Sequence, residues 1–212
     1  VIINLLNHVL FVFGTDQVTS AEILGFITGI ACVYLVVKEN VHNFWIGILN
    51  AAFFLILFLN ARLYADSGLQ VMFIVLNAIG WWAWLKAGPN KTPLKISNGR
   101  KWELPVIGIL VIGITAILYP ILLHIHDIAP WWDAVTTGLS VGAQLLLNWK
   151  RIENWYIWIA ADLIYIPLYF YKNLYLTGIV YIGFITLSCI GLVGWMARKR
   201  IQNANLPVYE SI

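Results

Sequence analysis

Asp162 stands in the middle of an apolar run, Trp155 to Tyr171, and is the only acidic residue placed inside any long apolar segment of the chain. A carboxylate in that setting can pair with a cation, accept hydrogen bonds or carry a proton. At helical spacing Trp158, Tyr165 and Tyr169 share its face, at intervals of four, three and four residues. Two further stripes carry amides: Gln70, Asn77, Trp81 and Trp84 in one run, and Ser140, Gln144 and Asn148 in another. Asn50 is the lone strong polar group of a fourth run, and Tyr181 adds a phenol in a fifth. Amides read hydroxyl and carboxamide groups, indole and phenol rings stack on flat heterocycles, and one carboxylate favours a cation. The combined set (Asn50, Gln70, Asn77, Trp81, Gln144, Asn148, Trp158, Asp162, Tyr165 and Tyr181) suits a flat, polar, neutral or cationic ring joined to a hydroxylated group. Trp84 lies nearer the charged end of its run and reads as an interface anchor. Each amide also has a structural alternative, an interhelical hydrogen bond that holds a bundle together. For Asp162 the alternative is helix pairing, or a protonated acid donating one hydrogen bond.

The elements that must position these side chains are membrane helices. Hydrophobic residues are 61% of the 212 and charged ones 11%, where a soluble domain carries about a quarter. A crossing takes about 20 apolar residues, so the length allows several crossings and no separate soluble domain. Seven spans are predicted, at 21–37, 44–60, 69–85, 104–123, 134–149, 155–171 and 174–196. Residues 1–13 form an apolar run too short to cross, with Asn4, Asn7 and His8 on one helical face, and predict a short N-terminal helix, interfacial or packed on the bundle. The chain opens on Val1 with no cleavable signal evident, so a few native residues are expected to precede it.

Lysine and arginine segregate. Lys38, Lys86, Lys91, Lys95, Arg100, Lys101, Lys150, Arg151, Arg198, Lys199 and Arg200 lie on one side, with only Arg62 and Lys172 on the other. This predicts a cytoplasmic C-terminus and 86–101 linker, with the N-terminus outside. A shift of 111 residues lays Asn43, Leu63-Tyr64, Phe73, Gly80 and Trp84 on Asn154, Leu174-Tyr175, Phe184, Gly191 and Trp195. Spans 1–3 and 5–7 are thus expected to be copies in one orientation, with span 4 returning the chain to its starting side. The first span of each copy is short, about 15–17 residues, a pointer to a transporter's binding region, although tilt accounts for it equally. The fold expected is an all-α integral membrane protein in a 3+1+3 arrangement: a short helix at 1–19, repeat 1 at 20–88, linker and linking helix at 89–132, repeat 2 at 133–200 and a tail at 201–212.

Other chemistries lack their residues. No lysine lies within a span, so a Schiff base is unavailable, and there is no phosphate-binding glycine loop, metalloprotease His-Glu pair or nucleophile elbow. His124 and His126 flank one isoleucine with no third ligand, so no metal site or cofactor is expected. An intramembrane enzyme would need an acid paired with a base, and only Asp162 is present. Cys32 and Cys189 lie mid-span and suggest no disulfide. The net charge of +3 follows membrane topology rather than a nucleic-acid surface. A small-molecule carrier and a membrane scaffold or sensor remain the competing classes.

Ile152-Glu153-Asn154-Trp155, Trp158, Asp162, Ile166-Pro167-Leu168-Tyr169 and Lys172-Asn173-Leu174-Tyr175-Leu176-Thr177, together with Leu69-Gln70, Asn77, Gly80-Trp81 and Trp84, resemble the PnuC vitamin transporters. The likeness covers most of residues 20–200 and is densest over 150–197. The resemblance implies a fold similar to the SWEET sugar transporters and facilitated diffusion of nicotinamide riboside into bacterial cells across the inner membrane. It also implies trapping by a cytoplasmic kinase, feeding NAD salvage, and a homo-oligomer, expected to be a trimer. Thiamine, riboflavin or a sugar are alternative cargoes for the same architecture.

Overall fold

Helix boundaries follow from local chemistry. Thr19 caps the first helix: its hydroxyl accepts from the Glu22 N–H, and the Glu22 carboxylate accepts from the Thr19 N–H at 2.8 Å, a capping box. Helix α1 (Ser20–Val37) ends where the Glu39 N–H donates to Val36 O and the Asn40 N–H to Leu35 O, with Glu39 at φ 55°. That is the Schellman closure, with Glu39 in the left-handed position usually given to glycine. Helices α2 (Asn43–Asn60), α3 (Tyr64–Lys86), α4 (Glu103–His124), α5 (Pro130–Asn148), α6 (Glu153–Tyr171) and α7 (Tyr175–Asn203) follow. Pro130 opens α5, where its missing N–H costs nothing. Helix α5 closes as α1 does: Lys150 N–H to Leu147 O, Arg151 N–H to Leu146 O, and Lys150 at φ 50°. The computed structural model describes residues 8–14, 16–60, 64–86, 94–172 and 175–204.

Four of the helices, α1, α3, α4 and α7, are each long and apolar enough to cross a membrane by length and composition alone. Helices α5 and α6 are less apolar because they carry the buried polar side chains. The protein is an all-α, multi-pass membrane protein, as expected, with seven helices among the described residues. The N-terminal expectation needs correction. Over residues 9–19 a hairpin stands where the helix was expected: Val9–Phe13 (β1) and Asp16–Thr19 (β2) pair antiparallel, with Phe13 opposite Asp16 and a turn at Gly14, while residues 1–7 lie outside the described residues. Valine and phenylalanine favour the extended backbone, and Gly14 supplies the φ of 66° that a tight hairpin requires. Asn4 and Asn7 lie outside the described residues.

Within each repeat the helices pack in sequence, α1 on α2 on α3 and α5 on α6 on α7, while α4 lies on α5. The repeats meet reciprocally, α1 against α7 and α5 against α3. Trp84 Nε1 donates to Leu147 O at 3.4 Å, and Trp195 Nε1 donates to Val36 O at 3.2 Å. Each donor and each acceptor is displaced from its counterpart by the 111-residue shift, so one bond is the other repeated about a pseudo-twofold axis. Asn43 and Asn154 likewise both donate to the carbonyl three residues back, at 2.7 and 2.6 Å. Phe44 meets Trp84 edge to face, and Trp155 meets Trp195 the same way. Two glycines permit this packing: a Cβ on Gly80 would lie 2.3 Å from the Phe44 ring, and one on Gly191 would lie 2.4 Å from the Trp155 ring.

Segment 94–102 lies against the α5–α6 turn. The Ser97 N–H donates to Lys150 O and Ser97 O accepts from the Ile152 N–H. Arg151 holds both Ser97 and Glu103, the latter at 2.7 Å, and Gly99 N–H donates to Glu153. This linker end carries most of the basic residues. The opposite, hairpin end carries β1, β2 and the starts of α1, α5 and α7.

Candidate functional site

Asp162 sits midway along α6 with 3% of its surface exposed. Its single hydrogen bond among the described residues comes from Ser188 Oγ of α7 at 3.4 Å. An ionised carboxylate can accept about four hydrogen bonds, and this one is long, so the group is poorly satisfied by the protein. No lysine or arginine pairs with it among the described residues: each ion pair there involves Glu39, Glu103 or Asp133, at or beyond a helix end. A buried carboxylate without a cation favours either its neutral form or an arriving positive charge.

Toward the hairpin end from Asp162, the tyrosines gather. The Tyr165 and Tyr169 rings stack with centroids 5.5 Å apart, and Tyr181 of α7 lies 4.8 and 4.9 Å from them. Phe184 adds an edge to Tyr181 at 5.2 Å. The Tyr165 hydroxyl is 3.4 Å from Ser140 Oγ of α5. Phe184 also reaches repeat 1, since a Cβ on Gly29 would lie 3.0 Å from its ring and 3.4 Å from the Asn50 amide nitrogen. Asp162, Tyr165, Tyr169, Tyr181, Phe184, Ser140 and Ser188 thus form one cluster over α5, α6 and α7, with α1 and α2 closing one side. At its hairpin end Lys172 Nζ bonds Asp133 Oδ2 at 2.5 Å and ties α6 to α5.

The amides divide. Asn50 donates to Gly25 O at 2.6 Å and Thr28 Oγ1 at 3.1 Å, which binds α2 to α1. Asn148, 1% exposed, donates to Leu76 O at 2.8 Å and accepts from Gln144, so α5 is bound to α3. Asn77 donates to Phe73 O on its own helix, and its Oδ1 would lie 2.6 Å from a Cβ on Gly47 of α2. Asn50 and Asn148 thus bond one helix to another, whereas the hydrogen bond of Asn77 stays within α3. Gln70 and Trp158 are half-buried, on α3 and α6. Trp81 is half-buried and meets Trp45 edge to face at 4.7 Å. The anchor role expected of Trp84 is not what the structure shows: its ring is 8% exposed, under Lys150 and between Phe44 and Trp195. Helical spacing finds the face a tryptophan shares, but not that a second repeat covers it.

Sequence reasoning missed Glu39 and Lys150, which pair at 2.9 Å, and Arg198, which holds Glu39 Oε1 at 3.2 Å and Val37 O at 2.7 Å. The signal was present: positions 39 and 150 are separated by the repeat shift and carry opposite charges. An open cleft of about 270 Å³ lies apart from the tyrosine cluster, between Glu153, Tyr156, Lys199 and Arg200 at the linker end.

Over residues 19–197 the chain matches the sequence model of the nicotinamide mononucleotide transporter family. It is 27% identical to the nicotinamide riboside transporter PnuC of Escherichia coli (strain K12), over 95% of this chain and 96% of that one. It is 24% identical to the riboflavin/roseoflavin transporter RibM of Streptomyces davaonensis, over 98% of each. Among solved structures, the crystal structure of the vitamin B3 transporter PnuC superposes with a TM-score of 0.67 at 21% identity, covering 85% of this chain and 82% of that one.

Proposed function

The chain belongs to the nicotinamide mononucleotide transporter family, a membrane transporter by that membership, and from this premise we propose that its cargo is nicotinamide riboside, moved by facilitated diffusion. The observation that carries the choice is Asp162, a buried carboxylate without a cationic partner among the described residues, beside the stacked rings of Tyr165, Tyr169 and Tyr181. Nicotinamide riboside supplies what that environment lacks: a positive pyridinium, flat enough for aromatic contact. The mononucleotide named in the family's description is the poorer fit. Its phosphate needs lysine, arginine or a metal, whereas here Lys172 at the cluster's hairpin end is already paired with Asp133, and Asp162 carries a like charge.

Asp162, Tyr165, Tyr181 and Trp158 face the cargo in this reading, with Gln70, Asn77 and Trp81 completing the repeat 1 wall. Asn50, Gln144 and Asn148 shape the site through the helix contacts they make. The charge segregation supports a cytoplasmic linker end and an external N-terminus in a bacterial inner membrane; an impermeant thiol reagent applied to cells carrying Lys101→Cys reports the side. A trimer is part of the same reading. Helix α4 packs on α5 and turns Ile109, Ile112 and Ile117 outward, an apolar face for lipid or another copy, and mass in detergent measures the outcome.

Uptake of labelled nicotinamide riboside, nicotinamide mononucleotide and riboflavin into proteoliposomes of the purified protein tests the cargo. The riboside should equilibrate quickly while the mononucleotide stays near the protein-free rate. Equal uptake of the mononucleotide defeats the Asp162 argument, uptake of riboflavin alone supports a flavin carrier, and uptake of none defeats the riboside reading and leaves thiamine or a sugar as the cargo to test.

A further inference from the structure

We propose that Glu39 and Lys150, with Trp84 and Trp195 beneath them, form the gate that closes the substrate path at the linker end. The inference rests on the transport reading above and adds the residues that govern one of its steps.

Glu39 and Lys150 occupy matched positions of the two repeats, 111 residues apart, and their side chains meet at 2.9 Å. Residues related by a pseudo-twofold touch only at its axis, so this ion pair marks where the axis leaves the bundle. Both residues hold the left-handed backbone, at φ 55° and 50°, just past the ends of α1 and α5. Glycine is the unstrained choice there. Keeping a charged residue at both places costs free energy locally, and the cross-axis contact is what the two side chains share.

The surrounding bonds repeat the same logic. Each third-helix tryptophan reaches into the other repeat: Trp84 donates to Leu147 O at the end of α5, and Trp195 donates to Val36 O at the end of α1. Lys150 Nζ lies 4.4 Å over the Trp84 ring, and Arg198 of α7 holds Glu39 Oε1 and Val37 O. Near the cluster's other flank, Phe184 against Gly29 is an apolar contact. Rocking the repeats apart at the linker end would break the polar set together, while the Phe184 contact can slide. The pair is only partly buried, so water can take over both charges when it opens, which keeps the closure reversible.

The test uses a background in which Cys32 and Cys189 are replaced by alanine. In membrane vesicles with the linker end outward, a cysteine placed at Ser188 reports whether an impermeant thiol reagent reaches the Asp162 level. Glu39→Gln should raise its labelling rate about fivefold, the expectation for loss of one ion pair. This readout needs no substrate. An unchanged rate overturns the gate whatever the cargo is, while faster labelling together with no riboside uptake by the protein that retains Ser188 keeps the gate and defeats the substrate reading. Separately, Glu39→Cys with Lys150→Cys, joined by a short cleavable bismaleimide, should lower riboside uptake by about tenfold, with riboside binding within about twofold of the unlinked protein. Cleaving the link should restore uptake. Uptake at the unlinked rate while the link is intact also overturns the proposal.

Discussion

A carboxylate with one 3.4 Å hydrogen bond at the centre of a helix is not there for stability, because burial penalises its charge and Ser188 alone offsets little of that. If its role is to meet a pyridinium, Asp162→Asn should weaken nicotinamide riboside binding by about tenfold, near 1.4 kcal/mol. The reduced riboside keeps the ribose and carboxamide but has no ring charge, so its affinity should change by less than about twofold. Calorimetry on both ligands makes the comparison, and equal losses would leave Asp162 a hydrogen-bonding or structural residue. The stripe of Trp158, Asp162, Tyr165 and Tyr169 was legible in the sequence because helical spacing alone fixes which residues share a face. The roles of Asn50 and Asn148 were not. Each donates to a backbone carbonyl of another helix, Gly25 and Leu76, and spacing within one helix carries no information about the helix opposite.

At the scale of the elements, glycine placement separates close packing from mere presence in a helix. Gly191 faces Trp155 with no room for a methyl group, whereas Gly183 and Gly194 on the same helix α7 have open space within 4 Å of where a methyl group would lie. Gly191→Ala and its repeat mate Gly80→Ala should each destabilise the protein by about 1–3 kcal/mol, the usual cost of overpacking. Gly183→Ala and Gly194→Ala should be neutral or should stabilise by up to about 1 kcal/mol through helix propensity. Thermal unfolding in detergent reads all four, and a loss at Gly194 as large as that at Gly191 would refute the packing argument. Helix number and order were legible because apolar runs and charged breaks are strong signals in a membrane protein. The N-terminal hairpin was not, since five apolar residues in a row carry no period, and only the turn at Gly14 separates a strand from a helix end.

For the whole molecule the 111-residue shift is the organising fact. It was visible from Asn, Gly, Tyr and Trp matches, but the contacts it generates across the axis, Glu39 with Lys150 and each third-helix tryptophan with the opposite repeat, needed three dimensions. Two parallel three-helix units around one central cluster suit a rocking carrier, and the described residues offer no nucleotide-binding loop to drive it. Such a carrier binds its cargo in both facing states and so equalises concentrations without raising them. If this chain works as such a carrier, accumulation requires chemistry on the far side, and in the proposed reading that is a kinase adding a phosphate. Liposomes holding the purified protein alone should therefore equilibrate nicotinamide riboside without ATP or an ion gradient. Enclosing a riboside kinase and ATP should turn equilibration into accumulation limited by the ATP supply, and Asp162→Asn should slow its entry without changing its end point. If kinase-free liposomes concentrate the riboside when a proton or sodium gradient is imposed, uniport is refuted, and Asp162, the one carboxylate at the membrane centre among the described residues, becomes the group whose substitution should abolish the coupling.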